Sequence, residues 1–124
     1  MPVPILKQGD VLIASIQVAL SDHDLIELRD ELAGQVGRFR SRGVIIDVTA
    51  LDVLDSFATR TLRSIAYAAR LRGASTVVVG IQPDVAFAMV QLGLALDDVT
   101  TALDLEEGLA HLRSVANPGV RRAR

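Results

Sequence analysis

The fold is decided by a short apolar stretch, Gly-Val-Ile-Ile-Asp-Val at residues 43–48. Its run Val44-Ile45-Ile46 is continuous rather than alternating with polar residues, which is typical of a strand that is buried on both faces. Burial of both faces requires helices on each side of a sheet. We therefore expect this strand to lie at the centre of a sheet in an α/β domain.

On both sides of that strand, runs rich in β-branched residues alternate with segments in which apolar residues recur at helical spacing. Residues 3–7 and 11–16 flank a Gln-Gly-Asp turn and predict a hairpin. The run Ser-Asp-His-Asp at 21–24 offers good N-cap residues for a predicted helix that ends at about residue 37. The later predictions are a helix at about 55–72, a strand at 76–79, a helix at about 84–92, a weaker strand at 99–102 and a helix at about 104–115. This order predicts a single mixed sheet, an initial antiparallel hairpin followed by parallel strands, packed with about four α-helices.

Composition limits the class of protein. The length of 124 residues suits one domain, and a net charge of -2 is too small to indicate nucleic acid as a partner. The absence of cysteine excludes disulfides and thiolate metal sites and suits a reducing compartment. The sequence has neither a signal-peptide pattern nor an apolar run of about 20 residues. We expect a cytoplasmic protein with no membrane segment, a domain at residues 1–116 and a flexible basic tail at 117–124.

The residue inventory argues against an enzyme. His23 and His111 lie on different predicted helices, and the chain has no cysteine. This set of residues favours neither a metal site nor a hydrolytic centre. Lys7 is the only lysine and follows no glycine, which excludes a phosphate-loop nucleotidase. Asp47 ends the central strand, where receiver domains place a phospho-accepting aspartate. The acidic pair after the first strand and the lysine late in the chain that a receiver domain also needs are missing here. We therefore interpret Asp47 as a strand-end residue bonded to loop N–H groups. No catalytic residue, metal ligand or cofactor is predicted.

The second predicted helix carries an unusual exposed face. Ser56 stands at its N-terminus, where unpaired N–H groups and the helix dipole stabilise an oxyanion. Arg60, Arg63, Tyr67 and Arg70 follow at helical spacing, and these residue types suit recognition of a protein surface. The buried side of the helix is predicted to consist of Ala58, Leu62, Ile65, Ala66 and Ala69. A simple helix cap and an ordinary solvated charge stripe remain open as explanations of the exposed side.

The stretch Gly-Val-Ile-Ile-Asp-Val-Thr at 43–49, followed by Val-Leu-Asp-Ser-Phe at 53–57, resembles the phosphorylation region of STAS domains, the family of sulfate transporters and anti-sigma factor antagonists. Within that family the chain is similar to the RsbS type, the small scaffold antagonists of the bacterial stressosome. Phe-Ala-Thr-Arg at 57–60 fits this branch, whereas a generic antagonist has small residues and glycine there. The resemblance covers residues 4 to about 113, with supporting stretches at 4–7, 12–17, 80–83, 92–96 and 101–106.

The resemblance implies a switch in the general stress response rather than a catalyst. A protein of this type would join RsbR-type STAS sensor proteins in a homo- and hetero-oligomeric scaffold and sequester an RsbT-like switch kinase. The kinase would phosphorylate Ser56, with Thr59 as a minor candidate, and leave, and an RsbX-like phosphatase would reset the site. The residues implied for the kinase-binding surface are Asp52, Asp55, Ser56, Phe57, Arg60, Arg63 and Tyr67.

Other functions remain open at this point. One is an anti-sigma factor antagonist that binds an anti-sigma factor kinase directly and builds no scaffold. Another is a small-ligand-binding STAS module with a pocket near Asp47 and Gly80, although the chain has no glycine-rich phosphate cradle. Periodicity also leaves open whether a further apolar set fills the core or joins subunits, namely Phe87, Met89, Val90 and Leu92.

Overall fold

Five strands form one sheet in the order β1-β2-β3-β4-β5 in the computed structural model, which describes residues 3–97 and 99–116. The first pair is antiparallel and every later pair is parallel, so the predicted mixed sheet is confirmed. The predicted tail at 117–124 lies outside the described residues. The strands are β1 Ile5–Gln8, β2 Val11–Ser15, β3 Gly43–Asp47, β4 Ser75–Val79 and β5 Thr100–Ala102.

The helices are α1 Asp22–Phe39, α2 Ser56–Leu71, α3 Pro83–Gln91 and α4 Leu105–Ala116. All four predicted helices are confirmed, with ends that differ from the prediction by two residues or fewer. The largest difference is at the end of α1, which continues to Phe39 rather than ending at about residue 37, and Arg40 takes the left-handed C-cap conformation, with φ 52°. Within the described residues, none of the helices has the length and apolar character needed to cross a membrane.

The two faces of the sheet bury different helices. The larger core lies between one face and helices α1, α2 and α3, and the smaller core lies under α4 on the other face. Val44, Ile45 and Ile46 of β3 have no exposed surface, which confirms the prediction of a central strand buried on both sides. Because β2 to β5 are parallel, the loops after β3 and β4 leave the sheet at the same edge, and this edge positions the start of α2.

The apolar residues around α3 divide between the core and the surface. Met89 is buried with 6% of its surface exposed, so it fills the larger core. Phe87, Val90 and Leu92 are 70%, 77% and 71% exposed. The periodicity alone left this division open, because a short helix at the border of the sheet can turn either side inward.

Candidate functional site

Ser56 is the first residue of α2 and is exposed. Asp55 precedes it as the N-cap, and its Oδ1 accepts a 2.8 Å hydrogen bond from the N–H of Ala58. A helix leaves its first N–H groups without partners inside the helix, and this bond satisfies one of them. The cap is therefore Asp55, and the Ser56 hydroxyl makes no hydrogen bond within the part of the chain that the structure describes.

The stripe that follows Ser56 lies on the exposed side of α2, as its spacing predicts. Arg60, Arg63 and Arg70 are exposed, and Tyr67 is 57% exposed. The guanidinium carbon of Arg70 lies 5.8 Å from the centroid of the Tyr67 ring, which is within cation–π range. Among the described residues no carboxylate forms an ion pair with these arginines, so their positive charge faces solvent and is available to an acidic partner surface.

Two other residues of the first turn are less accessible than the sequence suggested. Thr59 is 2% exposed, and its hydroxyl donates a 2.9 Å hydrogen bond to the carbonyl oxygen of Asp55. Phe57 is half-buried and packs against the larger core. The geometry therefore favours Ser56 over Thr59 as the acceptor of a phosphoryl group, and Phe57 offers only part of its ring to a partner.

The loop between β3 and α2 places negative charge beside Ser56. Asp52 and Asp55 are both exposed, whereas Leu51 and Leu54 are buried at 8% and 6% exposure. The two leucines anchor the loop in the larger core and leave the carboxylates at the surface. Ser56 thus stands between an acidic loop on one side and the arginine stripe on the other.

A hydrogen-bond network positions the start of that loop. Oδ1 of Asp47 accepts bonds from the N–H of Thr49 at 2.9 Å and from its hydroxyl at 2.6 Å, which confirms the interpretation of Asp47 as a strand-end residue bonded to the loop. Nε2 of Gln82 donates a 2.7 Å bond to the carbonyl oxygen of Thr49. Gly80 has φ +83°, and a Cβ there would overlap the Thr49 hydroxyl. Thr49 therefore fills the space between Asp47 and Gly80 in which the small-ligand alternative expects a pocket.

Sequence reasoning missed this positioning role of Gln82 and Gly80. The available signal was the glycine after β4, since a glycine at a strand end often marks a positive φ or a close approach of another segment.

The two histidines take no part in the site. His23 is exposed, and its Nε2 lies 3.6 Å from Oε2 of Glu27, whereas His111 is half-buried on α4. Among the described residues, no group of three or more metal-ligating side chains is arranged to hold an ion.

Comparison with known proteins identifies the family. Residues 3–108 match the family model described as the STAS domain. The chain belongs to the STAS domain family. The edge of the sheet that carries Ser56 is thus part of a STAS domain, as the resemblance at residues 43–57 implies.

Solved structures similar to this STAS domain include RsbS. A serine-to-glutamate variant of RsbS from Moorella thermoacetica is 38% identical with a TM-score of 0.80, covering 93% of this chain and 97% of that one. A structure described as the molecular architecture of the stressosome, a signal integration and transduction hub, is 39% identical with a TM-score of 0.76, covering 91% of this chain and 98% of that one.

A longer relative is similar over part of its length. The RsbT co-antagonist protein RsbRA of Bacillus subtilis (strain 168) is 33% identical over 82 residues, which are 66% of this chain and 30% of that protein. The matched stretch thus spans less than a third of that relative's length.

Proposed function

We propose that this STAS domain is a non-enzymatic stressosome scaffold and antagonist that sequesters an RsbT-like serine/threonine switch kinase and releases it on phosphorylation of Ser56. The observation that carries the proposal is the exposed Ser56 hydroxyl, free of internal hydrogen bonds among the described residues, at the head of an exposed arginine and tyrosine stripe. Similarity to RsbS at 38% identity over 93% of the chain supports it. RsbR-type STAS proteins are the proposed co-scaffold partners, and an RsbX-like phosphatase resets the site.

Docking of the kinase uses the exposed side of α2 and the loop before it. Arg60 and Arg63 recognise carboxylates on the kinase, since a guanidinium binds a carboxylate through two parallel hydrogen bonds. Tyr67 adds a large, rigid contact area. Asp52 and Asp55 contact basic groups of the kinase beside the hydroxyl that is to be phosphorylated. This arrangement presents Ser56 to the kinase that the surface binds.

Phosphorylation then weakens the complex through charge. A phosphoryl group adds about -1.5 to -2 charges beside Asp52 and Asp55. Two unit charges 4 Å apart interact by about 1 kcal/mol in water and about 4 kcal/mol near a protein surface, and about 1.4 kcal/mol changes an affinity tenfold. Since the Asp55 carboxylate already caps α2, it repels a phosphate from the helix N-terminus. Arg60, one turn along, is therefore the phosphate's partner and is withdrawn from the kinase.

The direct test is phosphorylation in solution. The chain is incubated with the RsbT-like kinase and ATP, and the phosphate is located by mass spectrometry. We expect one phosphate on Ser56, none in Ser56→Ala, and an unchanged amount in the control Thr59→Val, whose hydroxyl is buried in the parent protein. Phosphate on another residue, or full phosphorylation of Ser56→Ala, contradicts the proposal.

The scaffold half of the proposal needs a separate measurement. Size-exclusion chromatography with light scattering, in the presence of an RsbR-type STAS partner, is expected to show a megadalton-scale co-assembly. An anti-sigma factor antagonist that acts without a scaffold instead forms only a small complex with its kinase. Absence of a large co-assembly at concentrations that saturate the partner overturns the scaffold assignment and leaves the Ser56 result intact.

A further inference from the structure

A groove with an acidic rim lies between helix α1 and the edge strand β1. It has a volume of about 500 Å³. Its apolar lining comes from Val3, Ile5 and Leu28, which also contact the larger core. Its polar lining comes from Asp24, Glu27, Glu31 and Gln35 of α1. Because β1 is the first strand in the sheet order, the groove lies at an open edge of the sheet.

Two carboxylates of the rim are available to a cationic partner. Glu27 and Glu31 lie about one turn apart on α1 and are exposed. In the part of the chain that the structure describes, neither pairs with an arginine or a lysine. Oε2 of Glu31 accepts a 2.7 Å bond from the neutral amide of Gln35. Oε2 of Glu27 lies 3.6 Å from Nε2 of the exposed His23, which is longer than a hydrogen bond.

The lining defines the kind of partner that fits. Carboxylates on the rim select cationic side chains, and a guanidinium meets a carboxylate through two parallel hydrogen bonds. The apolar lining selects aliphatic side chains between those charges. An acidic side of a helix by itself is often only hydrated. The case for a partner therefore depends on a segment of matching composition within reach.

Such a segment follows helix α4 directly in the sequence. Helix α4 ends at Ala116, and the chain continues as Asn-Pro-Gly-Val-Arg-Arg-Ala-Arg at 117–124, with three arginines and no acidic residue. Ala116 lies beside the turn between β1 and β2, because it lines one small groove together with Gln8 and Gly9. The basic segment thus starts at the same edge of the sheet as the acidic groove.

The segment is long enough to reach the rim. From Gln8 back to Ile5, β1 covers three residues, or about 10 Å at about 3.3 Å per residue. Helix α1 ends at the same level, since the Phe39 ring centroid lies 5.9 Å from Nζ of Lys7, and Glu31 is about 12 Å up the helix from Phe39. Residues 121–124 are five to eight positions beyond Ala116, so an extended chain carries them up to about 16–29 Å away.

We propose that residues 120–124 dock in the groove between α1 and β1 of their own chain, with their arginines paired to Glu27 and Glu31 and their aliphatic side chains against Ile5 and Leu28. Exposed ion pairs are individually weak. The short connection at 117–119 compensates, because it keeps the segment at an effective concentration of about millimolar next to the groove. The proposal does not depend on the Ser56 switch, so either one can fail without affecting the other.

The test uses the absence of cysteine from the chain. Ala123→Cys gives a single attachment site for a nitroxide spin label, and paramagnetic broadening of amide signals is measured on the full chain at low salt. We expect the strongest broadening at residues 27–35, reduced at least about twofold by about 0.5 M salt and by the double substitution Glu27→Gln with Glu31→Gln. The matched control is Asp30→Asn, which removes a carboxylate of α1 that lies outside the groove lining and should change the broadening by less than about a fifth.

Two further measurements separate the possible occupants. Without the label, removal of residues 117–124 should shift the amide signals of 27–35. In a mixture of spin-labelled chains with isotope-labelled chains that lack the spin label, absence of broadening at 27–35 supports docking within one chain, and broadening there means that the groove takes the segment of a second copy, which overturns the proposal. Broadening confined to residues 8–11 and 105–116, broadening spread evenly over the surface, or broadening at 27–35 that neither salt nor the double substitution reduces also overturns it.

Discussion

The side-chain amide of Gln82 donates a 2.7 Å hydrogen bond to the carbonyl oxygen of Thr49, 33 positions earlier in the chain. The bond joins the loop after β4 to the loop after β3, which leads to Ser56. Burial of Leu51 and Leu54 fixes the later part of the same loop. The start of α2 is thus positioned by contacts with the neighbouring strand connection and not only by its own cap.

Loss of the Gln82 bond is expected to loosen this loop. Gln82→Ala should lower the free energy of unfolding by about 1 kcal/mol, the usual net contribution of one hydrogen bond. Amide hydrogen exchange at residues 49–52 should become faster, while exchange in β3 stays unchanged. The control is Gln91→Ala, an exposed glutamine at the end of α3. Equal exchange rates in both variants contradict the positioning role.

Substitution of Gly80 should be far more damaging than substitution of another glycine with positive φ. Gly9 has φ +61° with no atom within 4 Å of an added Cβ, so Gly9→Ala tests the cost of the backbone conformation alone, about 1 kcal/mol. A Cβ on Gly80 would overlap the Thr49 hydroxyl and lie 3.2 Å from Thr49 Cα. Gly80→Ala should therefore lose at least about 1 kcal/mol more, as measured by urea unfolding.

The clash at Gly80 has its own check. Adding Thr49→Ala to Gly80→Ala removes the hydroxyl that the new methyl group meets. Because Thr49→Ala by itself also loses the 2.6 Å bond to Asp47, the reference is the single Thr49→Ala variant. In that background Gly80→Ala should cost less free energy of unfolding than in the parent protein, although the backbone contact to Thr49 Cα remains. An equal cost in both backgrounds means that the loss lies in the φ angle rather than in the approach of the Thr49 hydroxyl.

The Asp55 carboxylate has two roles that substitution separates. Asp55→Ala removes the cap on the Ala58 N–H and should lower the free energy of unfolding by about 1 kcal/mol. Asp55→Asn keeps a good cap and removes only the charge, so its stability should stay close to that of the parent protein. Surface plasmon resonance should then show a smaller loss of kinase affinity on Ser56 phosphorylation in Asp55→Asn. An unchanged loss means that repulsion by Asp55 plays no part in release.

Arg60 is expected to couple to the charge state of Ser56. Ser56→Asp should weaken kinase binding at least about tenfold, and Arg60→Gln should weaken binding by the unmodified protein. In the double variant the effect of Ser56→Asp should be smaller, because Arg60 is no longer there to be withdrawn. Arg29→Gln on α1 is the control, since Arg29 pairs with Asp30 at 3.0 Å. Unchanged affinity in Ser56→Asp contradicts the release mechanism, and strictly additive effects contradict the role of Arg60.

Two buried threonines should respond in opposite ways to replacement by valine. The Thr76 hydroxyl has no partner among the described residues, so Thr76→Val should raise the free energy of unfolding by about 1 kcal/mol. The Thr61 hydroxyl donates a 2.9 Å bond to the carbonyl oxygen of Phe57. Thr61→Val should give no gain and a loss of up to about 1 kcal/mol. Thermal unfolding of both variants measures the difference, and a loss in Thr76→Val shows that its hydroxyl has a partner in solution.

Most of the fold could be predicted because its signals are local. The apolar run of β3, the N-cap residues at 21–24 and the helical spacing in α2 each lie within a few neighbouring residues, and all three predicted elements are present. The exposed stripe from Arg60 to Tyr67 was predictable for the same reason, since a helix presents every third or fourth residue on one side. Element ends were less predictable, because the residue that takes the left-handed cap depends on what packs around it.

Within the site, the sequence by itself determined that Ser56 begins a helix, that acidic residues precede it and that arginines follow it on one side. Only the tertiary structure decided that Thr59 is buried, that Phe57 is half-buried and that Gln82 holds the loop. It also brought Glu27 and Glu31 to one groove with Ile5. The physical reason is that helical spacing follows from backbone geometry over a single turn, whereas burial and pairing depend on which distant segments the parallel strands bring together.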